Sequence, residues 1–298
     1  MHVNVPPIKC QGIKTKLVPW IAKVCEDLDI STWIEPFCGS GVVAFNMRPS
    51  KAILCDTNPH LIDFYKSIKE KKITYQGVEC FLFEEGNKLR TEGESYYYEV
   101  RSRFNEEHNP LDFLFLNRSC FNGMIRYNRK GKFNVPFCKK PERFAKAYIT
   151  KIKNQVHYIQ QAIELNDFEF KCQPFQKTIS EADQNALIYC DPPYIDRHTD
   201  YFNGWGAIDE QLLYDNLSNF KGKFILSTWE KNEFRENTFV KELWGEFGIL
   251  TREHFYFLGG KEKNRNPMIE ALIFNFPIIK NIEIKKEKPA IQMTLFNN

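Results

Sequence analysis

Four consecutive residues, Asp191-Pro192-Pro193-Tyr194, combine a carboxylate acceptor, a stiff turn and an aromatic face. They directly follow the apolar run Ala186-Leu187-Ile188-Tyr189-Cys190, which reads as a buried strand. Proline cannot donate to a sheet ladder, so consecutive prolines end the strand in an exposed turn. A carboxylate at the carboxyl end of a strand lies where open α/β sheets bind ligands. The same four residues would also suit an ordinary strand followed by a Pro-rich turn, so the rest of the chain must decide.

A second chemical stretch lies upstream, in Glu35-Pro36-Phe37-Cys38-Gly39-Ser40-Gly41. Thr32-Trp33-Ile34 before it predicts a short strand, and Val42-Val43-Ala44-Phe45 after it an apolar helix start. Glycines at 39 and 41 let the backbone approach a ligand with no Cβ in the way. The next strand, Ala52-Ile53-Leu54-Cys55, ends in Asp56, placed to accept hydrogen bonds from a ribose diol. Gly39-x-Gly41-x-x-Ala44 also satisfies the loose dinucleotide fingerprint, which makes an NAD oxidoreductase a competing reading. Against it stand Glu35-Pro36 in the approach to the turn and the missing third glycine. Near the N-terminus, Gly12, Lys14 and Thr15 look like the end of a P-loop. Ile13 separates the glycine from the lysine, and no strand precedes them, so phosphate-cradling ATPase chemistry is rejected. Lys9 to Lys16 is left as a basic loop able to meet a ligand or a nucleic-acid backbone.

The elements that must position these residues follow an α/β pattern. Apolar helical spacing runs through Leu17, Ile21 and Val24, around Leu61 to Ile68, from Tyr96 to Phe104, and from Phe144 to Ile163. Strands are expected at Phe168 to Cys172, Phe224 to Ser227, Ile249 to Phe257 and Ile269 to Phe276. Phe175 is expected in a turn, and Asp209 as the cap of a helix through Leu212, Leu213 and Leu217. This predicts a discontinuous catalytic unit, 1–60 and 160–281, interrupted by a mainly helical insertion, 61–159, and followed by a tail, 282–298. Tyr201 to Gly206 reads as an aromatic loop able to order over a substrate, and Gly259 to Asn266 as a polar hairpin loop.

Within the insertion, residues 117–146 stand apart. Arg118, Arg126, Arg129, Lys130, Lys132, Lys139, Lys140, Arg143 and Lys146 face a single acid, Glu142. Phe121, Tyr127, Phe133 and Phe137 are interleaved with them, and Gly131 sits between two extended arms, as in a β-hairpin. Cations neutralise phosphates, aromatics stack on or wedge between bases, and a two-stranded ribbon fits a major groove. The expected partner is therefore double-stranded DNA. The net charge of +3 is too small to imply a polyanion by itself. Nine cysteines are scattered singly with no C-x-x-C pair, which argues for reduced thiols and against a disulfide frame or metal site. No apolar run is long enough to span a bilayer and no signal pattern opens the chain, so a cytoplasmic protein is expected.

Taken in order, these features resemble the Dam-type (class alpha, D12 family) DNA adenine-N6 methyltransferases across nearly the whole chain. The resemblance rests on Lys9 to Lys14, Glu35 to Gly41, Cys55-Asp56-Thr57-Asn58, Phe121 to Asn128, Phe133-Asn134-Val135-Pro136-Phe137 and Tyr189 to Tyr194. It implies a Rossmann-like methyltransferase sheet and S-adenosylmethionine as cofactor. It further implies cofactor contacts from Cys10, Lys14, Glu35, Pro36, Phe37, Gly39, Gly41, Asp56, Phe175 and Asp191. Catalysis would fall to Asp191, Pro192, Pro193 and Tyr194. DNA would meet Lys9, Phe121, Asn122, Met124, Arg126, Asn128, Pro136, Lys139 and Lys140, with Arg126 reading guanine and Phe121 acting as a wedge. Cys10 stands where the family usually has Trp, and Ile13 where it usually has a second glycine. Cytosine-N4 methylation, which uses a related tetrapeptide, and a non-catalytic nucleic-acid-binding protein on the same scaffold are the alternatives. The tail ends in Gln292-x-x-Leu295-Phe296, which looks like a docking peptide for the replication sliding clamp. A role in a restriction-modification system, as the modifying enzyme, is also expected.

Overall fold

Trp33–Glu35 and Leu187–Cys190 are buried at every position, the pattern of central parallel strands covered on both faces. The computed structural model describes residues 1–194, 205–255 and 267–278. In chain order its elements are α1 (Val18–Val24), β1 (Trp33–Glu35), α2 (Val42–Met47), β2 (Lys51–Asp56) and α3 (Pro59–Lys69). A helical run follows: α4 (Tyr75–Glu92), α5 (Glu94–Glu107), α6 (Pro110–Ser119) and α7 (Lys146–Leu165). The chain then returns to the sheet with β3 (Asp167–Cys172), α8 (Phe175–Ser180), β4 (Leu187–Cys190), α9 (Ala207–Asn219), β5 (Lys223–Asn232), β6 (Gly248–Phe255) and β7 (Pro267–Phe274).

The seven strands lie in the order β3-β2-β1-β4-β5-β7-β6. Pairing is parallel from β3 to β5, and β7 is antiparallel to both β5 and β6. This is the Rossmann-like methyltransferase architecture expected from the sequence. The order reverses between β1 and β4, and such a switch point opens a crevice at the carboxyl ends of the strands. Gly39-Gly41, Asp56 and Asp191 all follow the carboxyl ends of β1, β2 and β4.

The sequence reading did not identify α4 or α6, nor α8 and a short helix at Phe239–Glu242. Tyr75–Glu92 forms an 18-residue helix despite Gly77 and Gly86, which lower helix propensity. At Gly86 a Cβ would come within 2.6 Å of Phe144 Cβ, so the glycine seats that ring against the helix. In α6 every residue from Asp112 to Ser119 is buried, which erases the amphipathic period that identifies a surface helix. Phe175 opens α8 and is not in a turn, while Asp209 lies inside the first turn of α9. Its carboxylate accepts a hydrogen bond from the backbone N–H of Gly206, the residue that caps the helix.

One continuous apolar core joins the sheet to the helical run, from Trp33, Leu54 and Phe168 to Leu82, Tyr97 and Phe115. The basic segment forms a hairpin made of isolated bridges, Tyr127 to Phe133 and Cys120 to Phe137. Backbone bonds from Asn128 to Lys132 and from Asn134 to Arg126 close its arms. Its base is stitched to the N-terminal loop by the fully buried Asn117. Asn117 Oδ1 accepts from Lys9 N at 2.8 Å, while Nδ2 donates to Lys9 O at 2.9 Å and Gly123 O at 3.2 Å. Replacing Asn117 by Ala should lower stability by about 2 kcal/mol, because the backbone groups it satisfies lose their partners. A matched pair of urea unfolding curves reads this directly, and coincident midpoints would contradict the assignment.

Candidate active site

Asp191 follows β4 directly, and its carboxylate lies where desolvation is strong. Burial pushes its pKa up to about 6, a rise opposed by the Lys14 ammonium and assisted by Glu270. Lys14 Nζ is 2.8 Å from Asp191 Oδ1, and the lysine side chain is itself buried. The same ammonium donates to Gly12 O at 3.1 Å and stands 4.5 Å from the centre of the Tyr194 ring. Tyr194 is buried, donates its hydroxyl hydrogen bond to the Glu270 carboxylate, and packs with Trp229 and Met268. Pro192 is buried between these two side chains in sequence and Pro193 is half-buried. Lys14, expected to contact the cofactor, thus reaches Asp191 and Tyr194.

At the neighbouring strand ends, Asp56 ties the glycine turn to β2. Its Oδ2 accepts from Gly39 N at 3.0 Å and its Oδ1 from Asn58 N at 2.9 Å. Burial raises its pKa, and the hydrogen bonds from Asn58, Gly39 and Thr57 hold the rise in check. The two glycines differ in purpose. Gly39 has a φ of +49° and open space where a Cβ would project. At Gly41, with a φ of +66°, a Cβ would meet Phe45 Cε2 at 2.6 Å. Gly41 therefore serves packing of the turn against Phe45, and only Gly39 leaves a cradle open. Cys10 runs close to Asp56, and burial together with that carboxylate pushes its thiol pKa far up.

Phe37 and Phe175, expected to border a cofactor, do come together, with ring centres 5.2 Å apart. Trp205 completes the group at 5.4 Å from Phe37 and 5.7 Å from Phe175. Its indole N–H donates to Glu210, which anchors the start of α9 beneath it. Trp205 was legible only as part of an aromatic loop. Of that loop, Tyr201 to Gly204 lie outside the described residues.

Glu35 and Pro36 are buried, and the Glu35 side chain is turned inward. Glu35 Oε1 accepts from Trp33 Nε1 at 2.9 Å and from Ala44 N at 2.8 Å, so it braces β1 against α2. Both contacts fall on Oε1, and the expected cofactor contact of Glu35 would have to be made alongside this bracing role.

The hairpin separates its residues into two kinds. Phe121 is 51% exposed, whereas Phe133 and Phe137 are buried in the core and Tyr127 is half-buried against His60. The sequence reading of an interleaved aromatic face holds at Phe121 alone, because the other rings anchor the hairpin. Arg118 is also buried, with its guanidinium on Gln155 and over the Tyr148 ring. Arg143 covers the same ring at 4.5 Å. Lys9 is half-buried nearby, and burial plus the charges of Arg143 and Arg118 push its pKa down to about 8. Arg126 is oriented by the opposite arm: its Nε donates to Asn134 Oδ1 at 2.9 Å and an Nη to Asn134 O at 3.3 Å. Asn128 Oδ1 accepts from Lys130 N and Lys132 N, so it shapes the turn. Met124 is half-buried, while Asn122, Pro136, Lys139 and Lys140 are exposed.

A strand-end carboxylate paired with a lysine, a second one holding a glycine turn, and a basic hairpin tied to that turn's neighbour Asn58 form the candidate site. Residues 11–258 match the family described as D12 class N6 adenine-specific DNA methyltransferase. The chain is 32% identical over 253 residues to a DNA adenine methylase of Haemophilus influenzae, covering 80% of this chain and 82% of that protein. It is 27% identical over 291 residues to the type II methyltransferase M1.LlaDCHI of Lactococcus lactis subsp. cremoris, covering 92% and 96% of the two chains. It is also 27% identical to the type II methyltransferase M.FokI of Planomicrobium okeanokoites, spanning 91% of this chain but only 42% of that protein. The chain belongs to the D12 class of N6 adenine-specific DNA methyltransferases.

The Glu35 carboxyl has a measurable signature. Burial pushes its pKa up to about 8, against hydrogen bonds from Trp33 and Ala44 that oppose the rise. The folded state therefore binds more protons than the unfolded state between the ordinary glutamate range and pH 8, and stability falls with rising pH there. The slope should be at most about 1.4 kcal/mol per pH unit. Glu35→Gln keeps an acceptor oxygen and should flatten this component in thermal melts from pH 5 to 8. An unchanged slope would show that another group carries it.

Proposed function

We propose that the chain transfers a methyl group from S-adenosylmethionine to N6 of an adenine extruded from a short duplex DNA site, and that Asp191 holds the amine. The observation that carries this reading is the Lys14 ammonium, 2.8 Å from Asp191 and over the face of Tyr194. The pocket at the end of β4 already accommodates a nitrogen donor between a carboxylate and an aromatic ring. An adenine amino group offers the same donor on a flat base that can stack. Lys14 gives up this position when the base arrives.

The cofactor-facing residues suit a nucleoside linked to an amino acid. Asp56 can accept from ribose hydroxyls, the open space at Gly39 admits a close ligand, and Phe37, Phe175 and Trp205 offer an aromatic wall for an adenine. When bound, S-adenosylmethionine supplies an electrophilic sulfonium methyl. Asp191 and the Pro192 carbonyl accept hydrogen bonds from the two N6–H groups, which turns the nitrogen lone pair out of conjugation with the ring. The carboxylate also favours the positive charge that develops on N6, and one N–H proton is then released. Tyr194, fixed through Glu270, stacks on the base, since an adenine within the duplex cannot reach a buried site.

On the DNA side, Phe121 is the wedge, Arg126 reads guanine O6 and N7, and Lys139 and Lys140 neutralise phosphates. The guanidinium held by Asn134 supports a reading role, because a preset fork loses little freedom on binding. Two relatives are named type II methyltransferases, which supports a place in a restriction-modification system as the modifying arm. The clamp-docking reading of Gln292, Leu295 and Phe296 falls outside the described residues. Among the described residues, no helix is long and apolar enough to cross a membrane.

Asp191→Ala should lower kcat by roughly 10³-fold with labelled S-adenosylmethionine while cofactor binding persists. Because the ionised carboxylate is the acceptor, kcat/KM of the native enzyme should rise with pH through about 6 and level off above it. Full turnover of the alanine variant would refute the assignment. In a second test, Arg126→Ala should relax sequence preference, whereas Lys139→Ala should weaken binding to all duplexes and reduce the salt dependence. Equal losses on every sequence from both changes would make the hairpin a phosphate platform only.

A further inference from the structure

We infer that the turn after β5, with Phe234 at its tip, is a second DNA-contacting element on the flank of the base pocket opposite the recognition hairpin. This rests on the DNA methyltransferase reading above and adds a contact surface to it. Phe234 is 73% exposed, among the most exposed large apolar side chains described. Single exposed apolar residues are ordinary, so exposure alone decides nothing.

Three further observations give it meaning. First, the tip is built to hold its shape. Asn232 Oδ1 accepts from Phe234 N at 2.8 Å and from Arg235 N at 2.9 Å, and Asn232 N donates to Arg235 O at 2.9 Å. Lys231 and Glu236 bridge across the turn, and the buried Asn237 fastens its return to Glu230 O and Trp229 O. Presenting an aromatic ring to water on a braced turn suggests a surface meant to be covered.

Second, the turn rises from the same edge of the sheet as the candidate active site. Leu226 is in register with Cys190, so the level of Asp191 on β5 is Ser227. Asn232 lies five residues further along β5, at most about 16 Å at about 3.3 Å per residue, past a bulge between Trp229 and Lys231. Trp229, on the way up, packs on Tyr194 itself.

Third, the turn and the hairpin stand on opposite sides of β4. The hairpin meets the sheet at β2, where Tyr127 reaches Asn58, and the turn rises from β5. From β2 to β5 is three strand steps, about 14 Å, comparable with the ~12 Å width of a major groove. Phe121 and Phe234, both exposed aromatics, thus bracket the pocket. Around the ring the chain carries Lys231 and Arg235 together with Glu230, Glu233 and Glu236, and Lys241 pairs with Glu236 at 2.5 Å. An aromatic ring on such a turn suits a base step or deoxyribose edge, an apolar contact that does not depend on phosphate neutralisation.

The test is photocrosslinking of the full chain to a radiolabelled duplex. A benzophenone side chain is placed at Phe234 or, as control, at Leu165. Leu165 is equally exposed at 73% but precedes β3, at the opposite edge of the sheet. Strong crosslinking at 234 with little at 165 is expected. No crosslink at 234, or equal yields at both positions, would overturn the inference. Methyl transfer by the unmodified chain is measured in parallel. A crosslink at 234 without any transfer would refute the catalytic reading and leave the contact standing, so the two failures are distinguishable. In addition, Phe234→Ala should raise KM for duplex DNA about tenfold, with kcat within twofold and an unchanged melting temperature. Phe234→Trp should restore the native KM, and a native KM in the alanine variant would again overturn the assignment.

Discussion

A carboxylate withdrawn from water and left with one lysine ammonium is the constraint around which this structure is arranged. The ion pair between Lys14 and Asp191 joins the N-terminal loop to the end of the central strand β4. The pair joins residues far apart in sequence and ties the loop over the pocket, with Lys14 buried and Asp191 21% exposed. The loop is fixed at a further point, where Asn117 holds the backbone of Lys9. Burial raises the Asp191 pKa to about 6 against the opposing Lys14 charge, so the carboxylate is ionised at neutral pH.

From this pair the site extends in both directions along the sheet edge. Toward β2, Asp56 locks the Gly39 turn by a direct backbone bond, so the glycine cradle and the acid form one unit. Tyr127 then links the recognition hairpin to Asn58, whose backbone N–H is bound by the same aspartate. The proposed cofactor site and the DNA-reading hairpin are therefore two hydrogen bonds apart. Toward β5, Tyr194 is held by Glu270 of β7, and Trp229 packs beside it. The antiparallel strand added to an otherwise parallel sheet thereby supports the ring on which a base would stack.

Much of this was legible because the chemical residues sit at strand ends whose apolar runs are short and distinct. Asp56 and Asp191 each follow such a run, and the parallel sheet brings them to one edge. What stayed hidden depends on tertiary packing. The α4 helix carries a glycine at 86 because Phe144 packs there, and α6 lost its period because it is buried all round. Alternating cations and aromatics in the hairpin could not reveal that Phe133 and Phe137 point into the core while Phe121 points out. The bracing bonds of Glu35 to Trp33 Nε1 and Ala44 N were not legible, because they are set by the turn between those residues. Trp205 joined Phe37 and Phe175 only through the packing of α8 and α9, for which no local signal exists. The destination of Lys14 was equally nonlocal.

The central claim is that the pocket formed by Asp191 and Tyr194 receives the amino group of adenine. Nucleoside mass spectrometry of DNA from a methylation-free bacterial host expressing this chain tests it most directly. The account predicts N6-methyladenine that disappears when Asp191 is replaced. DNA without N6-methyladenine, or with N4-methylcytosine in its place, would contradict it.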